Sequence, residues 1–374
     1  MTSEERREQR YQRRKAARLK KRQETIGKYD DFERVASLNS LYEAAREASK
    51  GVDWKASVQR YNSLLLFNIS KTRAELLAGK DIRRGFICFD ICERGKLRHI
   101  KSVHFSERVV QKSFCTNILY PTFTRSLIYD NGASQKGKGT QFALDRLTTH
   151  LRRHFRKYGR EGGILLIDFS DYFGNVAHEP LFKIYRQIFT DPRVIALGMR
   201  FISAFGDKGL GLGSETSQIN AVMLPNRADH YAKEVLRIRG YGRYMDDSCL
   251  LHHSIAYLEE CLERLEVIYS EYGIVINKKK TKIVDLKHGF TFLKTHFYIT
   301  ETGRIINSIT RERRKLKKQA ALVASGVLTF DEVRRSYASW RGSMSHRDAY
   351  RTVQSMDRLF NRLFIDQWKG GPQP

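Results

Sequence analysis

Apolar and polar positions divide the chain into strand-like and helix-like segments. Ile164–Ile167 form an uninterrupted apolar run, which is typical of a strand that is buried on both faces. Between Tyr241 and Leu251, apolar and aromatic residues flank an acidic pair, Asp246 and Asp247. Adjacent residues of one strand would point to opposite faces, so this pattern predicts two short strands whose tight turn carries the acidic pair.

Helical spacing accounts for much of the N-terminal part. Apolar stripes begin after Asp31 and at Trp54, and both are expected to be ordinary packing faces of helices. Residues 84–101 alternate in a way that predicts a hairpin. A helix is then expected from Ser106 until Pro121 stops or kinks it, because proline removes a backbone donor.

Helix-like and strand-like patterns also account for the C-terminal part. A glycine-rich segment over residues 209–217 precedes a helical stripe, and residues 255–273 predict an amphipathic helix. Residues 289–298 alternate as a hairpin does. Residues 308–366 are basic, aromatic and helical in their spacing, so they predict a helical subdomain.

Composition directs this picture toward nucleic acid. With 374 residues, 41% of them hydrophobic, the chain is long enough for a real core and two or three subdomains. A net charge of +27 and a pI near 9.9 point to a polyanionic partner, and nucleic acid is the usual one. The start of the chain is dominated by lysine and arginine, which predicts a basic arm or, equally well, a solubilising tail.

Cysteines and apolar stretches exclude several classes of protein. The five cysteines include no Cys-x-x-Cys pair, so they indicate neither a disulfide framework nor a zinc module. No apolar stretch reaches membrane-spanning length, and the first residues lack the apolar segment of a signal peptide. We therefore expect a cytoplasmic protein that does not engage a membrane.

Asp168, Asp246 and Asp247 are the candidate catalytic and metal-binding residues. Asp168 ends the buried strand pattern, and the other two occupy the predicted hairpin turn. Two carboxylates about 4 Å apart repel by about 4 kcal/mol at an effective dielectric constant near 20, so a cation is expected there. Mg²⁺ prefers carboxylate and phosphate oxygens, and two such ions can clamp an in-line phosphoryl displacement. The sequence predicts two Mg²⁺ ions, with Mn²⁺ as a substitute.

The same residues carry a family resemblance. Asp168 at the end of its strand and Tyr-Met-Asp-Asp at residues 244–247 resemble motifs A and C of reverse transcriptases, with the neighbouring motifs in family order. The resemblance implies an α+β right-hand polymerase fold and RNA-directed DNA synthesis. The expected divisions are a basic arm over residues 1–30, fingers over 31–160, a ferredoxin-like palm over 161–300 and a helical thumb over 301–374.

The resemblance also implies nucleotide contacts in the fingers. Arg98 and Lys101 lie in the predicted hairpin, where reverse transcriptases place a basic residue on the incoming triphosphate. Lys136 and Lys138 lie in a glycine-rich loop before a helix, which suits close approach to phosphates or template. Arg98 and Lys101 are otherwise plain surface charges.

Motifs A and D supply three more candidates. Asp171 follows Asp168 by one turn and is expected to offer its backbone to the triphosphate. Phe173 falls where reverse transcriptases carry an aromatic steric gate against a 2′-hydroxyl, although a core role would also explain it. Lys280 matches the lysine of motif D and would protonate the departing pyrophosphate if it reaches the phosphates.

Motif B resembles one subgroup most. Where many bacterial enzymes have Gln-Gly-x-x-x-Ser-Pro, this chain has Leu212, Gly213 and then Ser-Glu-Thr-Ser before Gln218. This form is similar to the reverse transcriptases of diversity-generating retroelements, which copy RNA with errors at adenines. Leu212 in place of glutamine removes a polar group near the nucleotide, and a lost hydrogen bond of about 1 kcal/mol loosens base selection severalfold. We therefore expect error-prone synthesis.

In the helical C-terminal region, Tyr337, Trp340 and Arg341 are the expected nucleic-acid contacts, on an RNA/DNA duplex held through phosphates and sugars. The expected partners are template RNA, this duplex and dNTPs, and retroelement enzymes of this type often work with a small basic accessory protein. Three alternatives stay open: an anti-phage defence enzyme of the abortive-infection type, an RNA-dependent RNA polymerase, and a non-catalytic RNA-binding protein.

Overall fold

The structure is a computed structural model that describes residues 23–93, 96–308, 312–344 and 350–365, with single residues between 6 and 21. Of the side chains at positions 93, 96, 98, 308 and 351 nothing is described. The strands are β1 Phe86–Glu93, β2 Lys96–Val103, β3 Gly163–Ile167, β4 Gly242–Tyr244, β5 Asp247–His252, β6 Lys282–Asp285, β7 Phe290–Phe292, β8 Thr295–Ile299 and β9 Ile305–Ser308.

The other regular elements of the described chain are helices. The α-helices are α1 Phe32–Ala36, α2 Leu38–Ser49, α3 Ala56–Ser63, α4 Leu65–Leu77, α5 Phe105–Phe114, α6 Tyr120–Phe123, α7 Thr140–Tyr158, α8 Tyr172–Asn175, α9 His178–Ile188, α10 Pro192–Ser203, α11 Glu215–Met223, α12 Asn226–His230, α13 Ile255–Glu271, α14 Glu312–Ala324, α15 Phe330–Ser343 and α16 Tyr350–Leu363. Cys115–Leu119 and Tyr231–Val235 are π-helical, and Thr124–Ser126 forms a short 3₁₀ turn.

An antiparallel sheet of four strands, in the order β4-β5-β3-β6, positions the acidic residues. Its two central strands are the first and third along the chain, and α13 connects β5 to β6. This is the split βαβ order of a ferredoxin-like fold. The observed order confirms the palm topology expected from the sequence.

The central strand β3 is buried on both faces, as its continuous apolar run predicts. Leu165 and Ile167 belong to a large core with the helices, whereas Ile164 and Leu166 belong to a second core. That second core includes apolar residues of α7, Cys249 and Leu251 of β5, and the sheet β7-β8-β9. Two separate cores therefore fix β3 in place, and with it the position of Asp168.

The predicted hairpin over residues 289–298 is present and gains a third strand. β7 pairs with β8, and β8 pairs with β9. Leu293 and Lys294 form the turn with φ values of 46° and 64°, which suits a two-residue hairpin loop. Phe290 and Phe297 stack at 5.5 Å between ring centroids and anchor the sheet.

The region expected to form the fingers begins with helices and contains the β1-β2 hairpin, whose strands pair from Phe86 with Val103 to Glu93 with Lys96. The helical stripe expected from Trp54 is partly wrong. Val58 is buried, but Trp54 precedes α3 and is 71% exposed. Lys55, rather than Asp53, occupies the N-cap position, so the helix starts too late for the indole ring to join the stripe.

Of the expectation that Pro121 stops or kinks a helix, the first part is wrong, because the helix does not stop there. The helical path starts at Phe105 and continues from α5 through the π-helical turn into α6, which ends at Phe123. Pro121 lies in the first turn of α6, where the missing backbone donor costs little. The π-helical turn at Cys115–Leu119 already breaks the α-helical hydrogen-bond pattern just before the proline.

Helices α14, α15 and α16 form a subdomain with its own core. Leu316, Val333, Trp340 and Phe360 are among its buried residues, and none of them joins the two larger cores. A capping box between Thr329 and Glu332 starts α15. Within the described ranges, no helix is both long and apolar enough to cross a bilayer.

Candidate active site

The palm sheet brings two of the three predicted aspartates side by side. Ile167 of β3 pairs with Ser248 of β5 in antiparallel register. Continuing this register by one residue places Asp168 opposite Asp247, and opposed residues of an antiparallel pair share a face. Asp246 precedes Asp247 in the turn, so all three carboxylates come from adjoining positions at one end of the sheet.

The turn that carries the acidic pair has a strained residue. Tyr244 pairs with Asp247, which leaves Met245 and Asp246 as a two-residue loop. Met245 has a φ of 55°, in the left-handed region that favours glycine. This conformation makes the turn tight enough to present both aspartates at the edge of the sheet, as the sequence predicted.

Two lysines supply positive charge to this cluster. Lys280 places its Nζ 2.9 Å and 3.0 Å from the two carboxylate oxygens of Asp168, whose side chain is 16% exposed. Burial, with the negative charges of Asp246 and Asp168, raises the pKa of Asp247 to about 7, although Lys280 and Lys294 oppose this. The carboxylates therefore lie close enough to act on one another's charge.

The chemistry of this donor set suits a hard divalent cation. In the parts of the chain that the structure describes, no group of three or more histidine, cysteine, aspartate or glutamate side chains is already arranged to hold a metal ion. Lys280 instead neutralises Asp168. A divalent cation bound to the three carboxylates would relieve the repulsion that the raised pKa of Asp247 reveals, so the residues fit the predicted Mg²⁺.

Backbone hydrogen bonds join motif A to motif B. The amide of Leu210 donates to the carbonyl of Phe173 at 2.7 Å, and the amide of Gly209 donates to Val176 at 2.7 Å. His178 Nε2 lies 2.8 Å from the carbonyl oxygen of Gly209. The backbone of Phe173, the predicted steric gate, is therefore fixed by the loop that precedes motif B, and its half-buried ring packs at the edge of the core.

Asp171 has a left-handed backbone with a φ of 39° and precedes α8. Its carboxylate lies over Gly174, where a Cβ would be 2.2 Å from Asp171 Oδ2. Asp171 is exposed, and its carbonyl accepts from Asn175 at 3.0 Å. The side chain thus shapes the motif A turn, and the predicted backbone contact with a triphosphate stays a prediction.

The motif B residues line the start of α11. Leu212 is half-buried, Gly213 is exposed with a φ of 93°, and Gln218 is exposed. Ser214 caps the helix, and its hydroxyl also donates to Gln111 of α5 at 3.0 Å. A Cβ on Gly213 would lie 3.8 Å from Ile100 of β2, so the fingers hairpin lies directly across from this glycine.

The basic candidates of the fingers fall into different environments. Lys101 is exposed and its register partner is Cys88, whereas Arg98 pairs with Ile91. The side chain of Arg98 lies outside the described part, so the predicted contacts of Arg98 and Lys101 with a triphosphate stay predictions.

In the glycine-rich loop, Lys136 is exposed and Lys138 has a structural role. Lys138 Nζ donates to the carbonyls of Tyr129 at 2.8 Å and Asn131 at 3.1 Å. It also lies 5.0 Å from the ring centroid of Phe142, and burial lowers its pKa. Lys138 therefore braces the loop, which leaves Lys136 as its freer cation for a ligand.

A comparison of the sequence with known families decides what this arrangement belongs to. The profile described as reverse transcriptase (RNA-dependent DNA polymerase) matches residues 90–297, more than half of the chain. The chain belongs to the reverse transcriptase family. The matched range begins in the fingers hairpin and ends in β8, so it contains all the residues that form the acidic site. No curated protein matches the sequence of this reverse transcriptase significantly.

Solved structures that resemble this reverse transcriptase include two telomerases. One is apo telomerase from Candida tropicalis truncated from its C-terminal domain, with 13% identity and a TM-score of 0.45 over 60% of this chain and 55% of that chain. The other is telomerase from Candida albicans in complex with a TWJ fragment of telomeric RNA, with 12% identity and a TM-score of 0.47 over 85% of this chain and 60% of that chain. The reverse transcriptase thus spans between 55% and 60% of the lengths of these structures.

The structure corrects part of the assignment in the helical C-terminal subdomain. Trp340 is 6% exposed and stacks with Tyr337, whose hydroxyl donates to Asp357 at 2.6 Å. Phe360 also stacks on Tyr337, with 4.3 Å between ring centroids. These aromatic rings form the subdomain's core, so they are not presented to a duplex. Arg341 has 58% of its side chain exposed and pairs with Asp357 at 3.1 Å, so its predicted phosphate contact stays a prediction.

Sequence reasoning missed a buried ion pair beneath the hairpin. Arg243 and Asp229 are both fully buried, and Arg243 Nη2 lies 2.7 Å from Asp229 Oδ2. The sequence shows Arg243 as one more arginine in a basic chain and offers no partner for it. Its position directly before Tyr-Met-Asp-Asp, in a strand otherwise expected to be buried, is the signal that would have found it.

Proposed function

We propose that this chain is an RNA-directed DNA polymerase that makes cDNA on an RNA template. The observation that carries the proposal is the register that sets Asp168 opposite Asp247 beside the Asp246 turn, within a sheet of palm topology. The family match supports the same reading. We place the protein in the cytoplasm on the grounds of composition alone.

We propose Asp168, Asp246 and Asp247 as the ligands of two divalent ions, with Mg²⁺ as the physiological metal. When bound, such ions activate the attacking hydroxyl and neutralise charge on the phosphates. The chain's own part is to hold three carboxylates together and to exchange the Lys280 ion pair of Asp168 for substrate contacts. Once freed from Asp168, Lys280 is positioned to donate a proton to the departing pyrophosphate.

We assign the selection of dNTPs over rNTPs to the contact between motif A and the loop before motif B. The backbone of Phe173 is held by Leu210, its half-buried ring packs against the core, and we propose that the sugar of the incoming nucleotide binds against this ring. A 2′-hydroxyl would meet this ring, which favours dNTPs over rNTPs. The proposed contacts of the triphosphate and template are four exposed residues, namely Lys101, Lys136, Gly213 and Gln218.

Primer extension with purified protein tests the proposed activity. The protein, an RNA template with an annealed DNA primer, and Mg²⁺ are combined with either dNTPs or rNTPs. We expect extension with dNTPs, little extension with rNTPs, and loss of product in Asp247→Ala while RNA binding is retained. Extension with rNTPs alone would indicate an RNA polymerase. Unchanged function of Asp247→Ala in every assay would indicate a non-catalytic RNA-binding protein.

We further propose that synthesis is error-prone, as in diversity-generating retroelements. The support is Leu212, an apolar and half-buried side chain directly before the exposed Gly213. We expect Leu212→Gln to lower the misincorporation frequency severalfold, since one added hydrogen bond of about 1 kcal/mol is enough for such a change. Sequencing of extension products from the wild type, Leu212→Gln and the apolar control Leu212→Met measures this. Identical error spectra for all three would overturn the proposal.

A further inference from the structure

The side chain of Arg243 forms hydrogen bonds with three separate parts of the palm. Nε donates to Asp229 at 2.7 Å and 3.0 Å, and Nη2 donates to the same carboxylate at 2.7 Å. Nη2 also donates to the carbonyl of Val222 at 2.7 Å, and Nη1 donates to the carbonyl of Met245 at 2.9 Å. One guanidinium thus joins α11, α12 and the turn of the catalytic hairpin.

The carboxylate of this pair is held from a second side. The hydroxyl of Tyr241 donates to Asp229 Oδ1 at 2.5 Å. The main chain of Arg243 is fixed as well, because its amide donates to Asp130 at 3.1 Å and its carbonyl accepts from Gly132 at 2.9 Å. The main chain of Arg243 is therefore anchored to the loop that contains Asp130 and Gly132.

The bond to the carbonyl of Met245 falls on the one residue of the turn that needs support. Met245 has a φ of 55°, where a residue with a side chain is disfavoured and glycine is not. The following two residues are Asp246 and Asp247. A relaxation of Met245 toward ordinary backbone angles would rotate the peptide that precedes Asp246 and would move both carboxylates relative to Asp168.

We propose that Arg243 is a positioning residue that holds the left-handed turn at Met245, so that Asp246 and Asp247 stay aligned with Asp168 for metal binding. Through Val222 and Asp229 it sets this turn against the helices that follow the motif B loop. This inference rests on the proposed polymerase function for its meaning, but the alignment itself has a consequence in metal binding that does not need catalysis.

A lysine at position 243 would keep the positive charge but would lose the planar arrangement of hydrogen-bond donors. A guanidinium has five donors in a planar fork and here serves Asp229, Val222 and Met245 together, whereas an ammonium cannot span these directions. Arg243→Lys should therefore retain an ion pair with Asp229 and release the carbonyl of Met245. If the only role of Arg243 is to pair with a buried charge, this conservative variant should be nearly silent at the metal site.

The experiment compares wild type, Arg243→Lys, Met245→Gly and the double variant. Mn²⁺ binding in the absence of nucleotide is measured by electron paramagnetic resonance, together with kcat and KM for dNTP and with thermal melting. We expect Arg243→Lys to weaken Mn²⁺ binding and lower kcat by about 10- to 100-fold, as for other residues that orient metal ligands, with little change in KM. Arg193→Lys, which alters an arginine that pairs with Asp191 and Glu33 at the start of α10, is the matched control and should leave Mn²⁺ binding unchanged.

Rescue by glycine separates positioning from simple packing. Glycine adopts the left-handed conformation without help, so Met245→Gly should restore at least part of the Mn²⁺ affinity when it is added to Arg243→Lys. A double variant that is as impaired as the sum of the two single variants would overturn the proposal, as would normal Mn²⁺ binding by Arg243→Lys. Because Mn²⁺ binding is read without substrate, the inference can fail or succeed even if the wild-type protein shows no polymerase activity.

Discussion

At the scale of single residues, Asp247 shows that the acidic site opposes folding. Asp247 is the first residue of a buried strand, and its carboxyl group lies close to two other aspartates. Burial and these neighbours raise its pKa from 3.8 to about 7. Such a group favours its protonated form in the folded chain, so its ionisation at neutral pH reduces stability.

The sign of this effect leads to a prediction for metal-free protein. Below about pH 4 the carboxyl is protonated in both states, and between pH 4 and about 7 only the folded state keeps the proton, so the free energy of unfolding falls as the pH rises. Asp247→Asn removes this loss. We expect the variant in EDTA to be more stable than the wild type at pH 8, by on the order of 2 kcal/mol, and the difference to shrink toward pH 5.

Urea unfolding at several pH values measures this difference. Asp285→Asn, at the other end of the palm sheet, is a suitable control because Asp285 pairs with Gly163 rather than with the acidic end of β3. A variant at Asp247 that is less stable than the wild type at pH 8 would contradict the charge repulsion described for the site.

Phe173 is the second residue whose role can be isolated. We expect Phe173→Ala to raise the ratio of kcat/KM for rNTP over dNTP by at least about 10-fold, because removal of the ring makes room for a 2′-hydroxyl. Tyr172→Phe is the control: it keeps a ring in place and loses only the hydrogen bond to Ala221. Single-nucleotide incorporation assays give the ratio, and an unchanged ratio would assign Phe173 to the core alone.

At the scale of elements, the contact between motif A and the loop before motif B is built on one glycine. Gly209 has a φ of 89°, and a Cβ there would lie 3.0 Å from the carbonyl oxygen of Gly174 and 3.1 Å from that of Phe173. The loop is pressed against the backbone of α8, and only glycine satisfies both the conformation and the spacing.

Gly209→Ala should therefore separate the two motifs. We expect a loss of stability of about 2 to 3 kcal/mol and a marked drop in incorporation, because the bond that fixes Phe173 is displaced. Gly137→Ala is the matched control, since Gly137 has a φ of 73° with nothing within 4 Å of an added Cβ. Its cost should be limited to the conformational term of about 1 kcal/mol. Equal losses in the two variants would show that contact with α8 is unimportant.

At the scale of the whole molecule, the charge of +27 dominates how the protein meets nucleic acid. Each phosphate neutralised by a lysine or arginine releases counterions, so affinity for RNA should fall steeply as salt rises. Arg341, exposed on α15, is expected to contribute one such contact. Arg341→Gln should then reduce the slope of log affinity against log salt by about 1.

Arg264→Gln is the control for this prediction. Like Arg341, Arg264 is exposed and pairs with a carboxylate, Glu260, but it lies on α13 rather than on α15. The two variants therefore differ in where the charge is lost and not in whether it is paired. Fluorescence anisotropy with a primed RNA template across a salt series gives both slopes. If Arg341→Gln leaves the slope at the wild-type value, the exposed face of α15 does not hold the duplex.

Much of this architecture is readable from the sequence for a local reason. The apolar run of β3 and the acidic hairpin of β4 and β5 specify their own structure, because burial and turn geometry are set by neighbouring residues. The order of strands and helices then limits the sheet to few topologies, and the observed one is the expected order. Trp54 and Pro121 show where local rules fail, since a shifted helix start and a π-helical turn changed the outcome.

The sequence by itself determined which residues are acidic, where β3 and the acidic hairpin lie and in what order the motifs come. Only the tertiary structure decided which side chains meet. Lys280 pairs with Asp168, Arg243 pairs with Asp229, and Trp340 packs in the core of its own subdomain rather than against a ligand. These partners are distant in the chain or hidden among many similar residues. Their pairing follows from burial, which sequence patterns indicate for an element as a whole but not for a particular polar side chain.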